Sequence, residues 1–380
     1  MFESVFIFIS CKSVLEMSFQ IVKACGSAYD VGVQIGKHFS ELSHKIPDSI
    51  YKSKVVRKSL PKLTPVAILR EYAKMLARKI RKKVRNHYPY IDEIIEGIAE
   101  GAGVKPILIY ELNAFETISG GLRVKDLFAP FIQCTGVVTP RFVAKNYDFP
   151  DELENYQYIR IWRINGHNAT FSLTHHFIPG THAGINDKGI ALVYTYVESS
   201  DAIVDNIPTS IILEALLQEV KSLDEAIEFI KEAPRATGAN ILISDGKRAV
   251  IIEESPTKIN IREGEVLVAS NHYVSEEMQD VNLPEDKTYP ARDFRVRIIV
   301  SSRMRYDRML QLVEDGVTLE KLMEAFKDHY PEPGENSICR HGPYWHTLSS
   351  IIFDLKEKVL YATKGNPCSN PYRKYEITFC

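Results

Sequence analysis

Two hydrophobic periods divide the chain. Between residue 28 and about 118 apolar side chains recur every three or four positions, as on helices with one buried face. From about residue 129 the apolar residues fall into short β-branched and aromatic stretches, the pattern of strands. The first part predicts helices over 28–45, 64–86, 90–102 and 106–118. The second of these has Thr64 as a cap, Pro65 in its first turn and a stripe of Leu69, Tyr72, Leu76, Ile80 and Val84. The third ends in Gly101 and Gly103. FIQCTGVVT, RFVAKNYDF, YQYIRIWRI, TFSLTHHFI and GIALVYTYV then follow with no helix-length gap between them, which predicts antiparallel pairing. Helices return over 208–221 and 223–232, the latter with Asp224 and Glu225 in its first turn. ANILISDGKRAVIIEE reads as a hairpin turning at Asp245-Gly246, and KINIREGEVLVASNHY repeats that form. Helices over 292–314 and 318–329 and a last hairpin, SSIIFDLKEKVLYAT, complete the series. Helices, strands, helices, strands, helices and strands in that order predict a layered α+β fold with a large antiparallel core. No internal repeat and no low-complexity linker is visible.

Composition narrows this picture. With 380 residues, 45% of them hydrophobic, the chain can bury one large core or two ordinary ones and is too apolar for disorder. A net charge of −2 argues against a protein that coats nucleic acid. No apolar run reaches 18 residues, so no membrane span is expected. The charge is nevertheless uneven: residues 1–133 hold 20 basic and 13 acidic groups, residues 134–380 hold 27 and 36. Eight Lys and Arg lie between Arg70 and Arg85; a solvated helix face is the plainer reading, a polyanion-binding patch the sharper one. The opening MFESVFIFISCK lacks the positive start and long apolar core of a secretory signal, and Met17 opens a more ordinary segment. Residues 1–16 therefore read as an extension ahead of the true start. Six cysteines without a CxxC pair suggest isolated thiols in a reduced, cytoplasmic protein.

Three groups of residues invite a chemical reading. His175, His176 and His182 would have to share an ion, but neighbours on a strand point to opposite faces, so no metal is expected there. GINDKGIALVY has the glycines of a phosphate loop, yet a strand follows it, and the helix N-terminus that would hold phosphate is missing. Cys134, in FIQCTGVV, is by itself an ordinary small buried hydrophobe. Its company changes that reading. Asn146-Tyr147-Asp148 places polar groups inside a strand pattern, where burial is costly without a partner. Asn271-His272 ends the apolar strand VLVAS, where a side-chain amide can point into a cleft.

Together these segments resemble the penicillin acyltransferase-like family (acyl-CoA:6-aminopenicillanic acid acyltransferase) of N-terminal nucleophile hydrolases. GSAYDVGVQIG is similar to the family's Gly-rich approach to its first helix, and IIEGIAEGAGV followed by LNAFE to its Glu-Gly-Ile-Ala-Glu-Gly-Ala-Gly signature. Cys134-Thr135 resembles the Cys-Thr nucleophile, KNYDF the Asn-aromatic-Asp segment and GINDKGIAL the Gly-hydrophobic-Asn-x-x-Gly turn. SNHY, RYDRM and NSICRH complete the order over nearly the whole chain after Met17. The resemblance implies a four-layer αββα sandwich of antiparallel sheets with a helical N-terminal pro-segment. It also implies a precursor that cuts itself between Gln133 and Cys134, giving a helical piece from residue 17 (or 1) to 133 and a catalytic piece, 134–380.

In that scheme Cys134 is the nucleophile, and its own α-amine, with a reference pKa of about 7.7–8.0, serves as general base once the cut has freed it. Asp148 would orient or polarise that amine. Asn271 would donate its amide to the tetrahedral oxyanion, a contact that typically contributes about 3–4 kcal/mol to the transition state. Arg340 matches an active-site arginine of the family, with Ser337 nearby, while Asn146 and Thr135 are supporting choices. Glu96, Glu100 and the glycines around them read as a helix end packed on the core. The family's type enzyme has glycine before its nucleophile where this chain has Gln133; a side chain there makes the strained backbone of self-cleavage harder to reach.

The expected activity is cleavage or formation of an amide through a Cys134 thioester, on small N-acyl amides or peptides. The Cys-Thr start also resembles bile-salt hydrolases and acid amidases, which keeps those substrate classes open. A non-catalytic, unprocessed binding protein and a papain-like protease with a histidine base are the rivals. No cofactor is expected; an acyl-CoA enters only as a substrate. The expected partner is a small-molecule amide or acyl substrate, with no nucleic acid and no membrane. The cleaved pieces are expected to stay associated, and a homo-oligomer is left open.

Overall fold

Two sheets face each other across the centre of the molecule. One has eight strands in the spatial order β1 (Ile21–Gly26), β4 (Gln157–Ile164), β5 (Thr170–His175), β6 (Ala183–Asn186), β7 (Ala191–Val197), β8 (Gly238–Ser244), β9 (Ala249–Glu254) and β10 (Ile259–Glu263). The other has six, in the order β11 (Leu267–Ala269), β2 (Gln133–Val138), β3 (Phe142–Phe149), β12 (His346–Asp354), β13 (Val359–Lys364) and β14 (Arg373–Glu376). This computed structural model describes residues 18–59, 65–121, 132–285 and 297–380. The expectations placed on residues 1–16, on Thr64 and on the start of the helix predicted from 292 lie outside the described residues.

The main helices are α1 (Ala28–His38), α2 (Val66–His87), α3 (Pro89–Ala102), α4 (Pro106–Gly121), α5 (Thr209–Glu219), α6 (Leu223–Glu232), α7 (Ile298–Val313) and α8 (Leu319–Ala325). The helix predicted over 28–45 ends at His38, and short helical turns replace the rest. α5 covers the outer face of the eight-stranded sheet: buried Glu214 accepts hydrogen bonds from Arg160 Nη2, Trp162 Nε1 and Thr170 Oγ1. α7 and α8 cover the six-stranded sheet, where Met309, Val313, Leu322 and Phe326 pack with Val137, Phe142, Ala144, Val268 and Ile352. The result is helices, sheet, sheet, helices: an α+β four-layer sandwich. β2, β3, β7 and β8 are buried along their whole length because each has a sheet on one side and a helix on the other. That double burial is why they read as apolar runs rather than clean alternations.

Three strand expectations change. β1 was not anticipated, and it pairs parallel with β4, the exception in an otherwise antiparallel eight-stranded sheet. The turn GINDKG is preceded by a short strand, β6, that pairs with both β5 and β7. KINIREGEVLVAS is not a second hairpin: β10 pairs with β9 in one sheet and β11 with β2 in the other. The three residues between them, Gly264, Glu265 and Val266, carry the chain across the sandwich. Alternation and a short polar gap look the same in both cases, so pattern alone does not separate them.

Cys134, Cys339 and Cys368 are free, but not every cysteine is. Cys25 on β1 and Cys380 at the C-terminus are joined by a disulfide, which removes the argument from cysteine usage for a reduced compartment. Two residues of a sequence, 355 apart, give no local sign of such pairing. Among the described residues no helix is long and apolar enough to cross a membrane. The basic face of α2 is engaged by carboxylates: Arg81 and Arg85 pair with Asp92 and Glu96, and Lys79 and Lys83 with Asp205 from the far side of residue 134.

Candidate active site

Register decides what surrounds Cys134. β2 and β3 pair so that Gln133 lies opposite Asp148, Cys134 opposite Tyr147 and Thr135 opposite Asn146. Residues alternate between faces along a strand. Cys134, Lys145 and Tyr147 therefore share the inner face between the sheets, and Gln133, Thr135, Asn146 and Asp148 share the outer face beneath α7 and α8. Cys134 is completely buried.

On the inner face the Lys145 ammonium lies 3.8 Å from Cys134 Sγ and donates a hydrogen bond of 2.9 Å to the Tyr194 carbonyl. The same Nζ stands over the rings of Tyr147 and Tyr194 at 4.7 and 4.9 Å. Burial pushes the Cys134 thiol up, and the Lys145 charge is the largest influence pulling it back toward thiolate. Burial in turn pulls the Lys145 ammonium down, with Cys134 and Asp148 opposing. The two groups are set to favour each other's charged form against a common desolvation cost.

On the outer face a buried arginine from α7 holds the backbone around Cys134. Arg305 Nη1 donates to the Cys134 carbonyl at 2.6 Å and to Thr135 Oγ1 at 2.9 Å. Its Nη2 donates to Gln133 Oε1 at 3.2 Å and to Asn271 Oδ1 at 2.7 Å. Charge-assisted bonds are worth about 1.5–3 kcal/mol each, so four of them match the several kcal/mol that burying the cation costs. Ser270 Oγ adds a second donor to the Cys134 carbonyl at 3.2 Å. The sequence contains Arg305 in RYDRM and Lys145 in KNYDF, yet neither was singled out. A basic residue inside a strand that is otherwise apolar was the available signal for Lys145; for Arg305, on a helix rich in arginine, there was none.

The expected residues fall into place unequally. Asn271 Oδ1 accepts from the backbone N–H of Cys134 at 3.1 Å, and its Nδ2 donates to the Tyr196 carbonyl at 2.7 Å. The Asn271 amide thus grips the backbone nitrogen of Cys134, and its donor is engaged elsewhere. Asp148 accepts from Thr347 Oγ1 at 2.7 Å through Oδ1, and its buried Oδ2 has no hydrogen-bond partner. Burial raises the Asp148 carboxyl, and Arg340 is the strongest influence restoring its charge, followed by Arg305. Arg340 is itself buried, paired with Glu335 at 2.6 Å and stacked over Trp345 at 5.1 Å, with Nε and Nη1 unpartnered. Asn146 points away from the thiol and donates to the carbonyls of Phe326 and Ile338, fastening the segment after α8 to the sheet. Ser337 bonds within its own loop, to the Gly334 and Cys339 carbonyls. Thr135 acts as an acceptor for Arg305. Glu96 pairs with Arg81 and Arg85 at the end of α3, and Glu100 with Tyr29 on α1.

His175, His176 and His182 are buried aromatic fillers rather than a cluster. His182 stacks on Tyr147 at 4.0 Å and His176 on Phe39 at 3.5 Å. Burial pulls His175 down to about 3 and His176 to about 2, so both are neutral. Near Cys134 lies a small apolar pocket lined by Ile50, Leu112, Phe115, Ile132, Phe149 and Phe177 among others. Ile132 and Phe149 flank the Gln133–Asp148 pair, which puts the lining of the pocket next to Cys134 along β2 and β3. A second small apolar cavity shares Leu112 and Phe177 with it and reaches α1 and α3.

The family model described as acyl-coenzyme A:6-aminopenicillanic acid acyl-transferase matches residues 137–369, more than half of the chain. The chain belongs to this family. Membership places it among acyltransferases and amidases of the N-terminal nucleophile type. The match begins at Val137, just beyond Cys134, so Cys134 lies outside the matched residues. No curated relative matches the sequence. Among solved structures, a variant of the conjugated bile acid hydrolase from Clostridium perfringens is 15% identical with a TM-score of 0.38, covering 64% of this chain and 97% of that one. The N-acylethanolamine-hydrolyzing acid amidase ortholog of Caenorhabditis elegans is 15% identical with a TM-score of 0.42, covering 58% and 93%. Penicillin V acylase from Agrobacterium tumefaciens is 14% identical with a TM-score of 0.34, covering 61% and 74%. At these scores the likenesses carry no argument, and the family assignment does not lean on them.

Proposed function

We propose that the chain is a self-processing cysteine amide hydrolase or acyltransferase that carries its acyl group on Cys134. The observation that carries this reading is the convergence of Lys145, Arg305 and Asn271 on the sulfur, carbonyl and nitrogen of one residue. In the precursor the Cys134 thiol attacks the Gln133 carbonyl. The Gln133–Cys134 C–N bond breaks, the departing nitrogen takes the thiol proton, and the acyl group rests on sulfur. Water then releases Gln133 as a carboxylate and restores the thiol. The freed α-amine stays within reach of Asn271 Oδ1, the acceptor its N–H already uses, and near the Asp148 carboxylate on the same end of β3.

In turnover the α-amine accepts the thiol proton, and Lys145 steadies the thiolate. Attack on a substrate amide gives a thioester on Cys134 and a leaving amine that takes the proton back. Water, or a second amine, then accepts the acyl group. The apolar lining beside Ile132 supports an apolar acyl portion on a small amide, in the substrate range of N-acyl amides and peptides. Processing places the boundary of the two pieces at residue 134, with 17–133 (or 1–133) as the pro-segment.

Chemical labelling of free α-amines followed by peptide mass analysis tests the proposal. The purified protein is expected to yield an N-terminal peptide beginning at Cys134 and to hydrolyse members of an N-acyl amide panel. Cys134→Ala should lose both. A Cys134→Ala protein that still acquires a new terminus at 134, or still turns over the amides, would defeat the assignment.

A further inference from the structure

The connection between α8 and β12 carries three residues whose reactive atoms meet a fourth from the turn after β13. Nε2 of His329, Sγ of Cys339, Nε2 of His341 and Sγ of Cys368 all lie within 4.8 Å of one another. His341 Nε2 is 3.1 Å from His329 Nε2, 3.5 Å from Cys339 Sγ and 3.3 Å from Cys368 Sγ. One ring nitrogen offers a single hydrogen-bonding position, either a lone pair or an N–H. Three heteroatoms crowding it cannot all be satisfied by hydrogen bonds. They are satisfied if each directs a lone pair at a cation in their midst.

The spacing fits one. Tetrahedral Zn²⁺ with bonds of about 2.0–2.1 Å to nitrogen and about 2.3 Å to sulfur places its ligand atoms roughly 3.3–3.8 Å apart. The three separations around His341 lie close to those edges. Two sulfurs and two imidazoles form a donor set that selects zinc over magnesium or calcium. We propose that His329, Cys339, His341 and Cys368 form a structural zinc site. Four protein ligands leave no position open for water, which makes the site structural rather than catalytic. On binding, the two thiols lose their protons to solvent and the two imidazoles coordinate through Nε2, with Nδ1 carrying the ring proton.

Its place in the fold gives the site a purpose. Cys339 and His341 flank Arg340, the buried arginine whose charge favours the Asp148 carboxylate, so a metal on both neighbours fastens the backbone that presents this guanidinium. Asn366 Nδ2 already ties the two ligand-bearing segments by donating to the Arg340 carbonyl at 2.7 Å, and it stands 3.8 Å from Cys339 Sγ. An N–H aimed at a metal-bound thiolate is a common outer support of such sites. The sequence hid the set because its ligands are spaced as one His, a Cys-x-His and a distant Cys, with no CxxC. A merely redox-linked Cys339–Cys368 pair is the competing account.

The full-length protein, purified without chelator, is expected to contain one zinc per chain by elemental mass spectrometry. Replacement of zinc by Co²⁺ should give the visible bands of a tetrahedral ion with thiolate charge transfer, a readout on the unmutated chain that needs no enzymatic activity. Asn366→Ala, which spares all four ligands, should weaken zinc binding about 10–100-fold in a chelator competition. The Cys339→Ser, Cys368→Ser double variant should lose the stoichiometric metal. Wild-type protein that takes up no stoichiometric zinc after reconstitution, Co²⁺ spectra without sulfur bands, zinc content unchanged in the double variant, or a Cys339–Cys368 disulfide in the purified chain would each overturn the proposal.

Discussion

A single buried cation beside a single thiol makes the sharpest claim at the scale of residues. Removing the Lys145 charge leaves Cys134 with burial as its dominant influence, and burial favours the neutral thiol. The sign is therefore fixed: in Lys145→Met the thiolate forms only at higher pH. The acidic limb of the rate–pH profile should move upward by about one unit or more, the size of effect an adjacent opposite charge has on a titrating group. A profile that keeps its position while the rate falls would make Lys145 a packing residue that merely holds the Tyr194 carbonyl. At this scale the sequence was informative about polar residues out of place, such as Cys134 and Asp148. It said little about direction. Asn146 and Asp148 are two residues apart on one face, yet one fastens a loop and the other keeps a bare oxygen beside the nucleophile's strand. No spacing rule distinguishes them.

Helix pairs depend on something simpler than chemistry. Gly32 and Gly36 on α1 lie against Gly97 and Gly101 on α3 so closely that a methyl group on any of the four would run into a backbone carbonyl of the other helix. In the stretches GSAYDVGVQIG and IIEGIAEGAGV these four glycines thus form a contact surface and serve close approach, whereas Gly26 and Gly103 take positive φ angles (142° and 69°) that favour glycine. Gly97→Ala is expected to push α1 and α3 apart and cost about 1–3 kcal/mol, read as a lowered unfolding midpoint in a denaturant titration. Gly334→Ala, where a methyl group would meet open space, should stay within about 0.5 kcal/mol of the parent. Equal stability of the two variants would refute the account. Elements of this kind were legible because periodicity is a local property: α2, α3, β3, β4 and the β12–β13 hairpin fall within a few residues of their predicted ranges. Which sheet a strand joins is not local. That is why β10 and β11 read as a hairpin, and why the edge strand β1, with exposed and buried positions alternating over only six residues, went unnoticed.

Across the whole molecule the order of helical and strand blocks was enough to predict a layered α+β fold with a large antiparallel core, while the number of layers came from the family resemblance. The uneven charge was also legible, and part of it is used within the molecule: Lys79 and Lys83 of the basic segment reach Asp205 of the acidic one. Salt screens exposed pairs of this kind, so they add little to holding two pieces together. The Cys25–Cys380 bond does what they cannot. One of its cysteines precedes residue 134 and the other closes the chain, so a cut before Cys134 opens a loop without releasing a fragment. The processed enzyme would remain one covalent molecule, heavier than its precursor only by a water. Dilution cannot separate its halves, because each keeps the other at a fixed local concentration. Its dissociation would be decided by a reductant, not by the cleavage that switches it on.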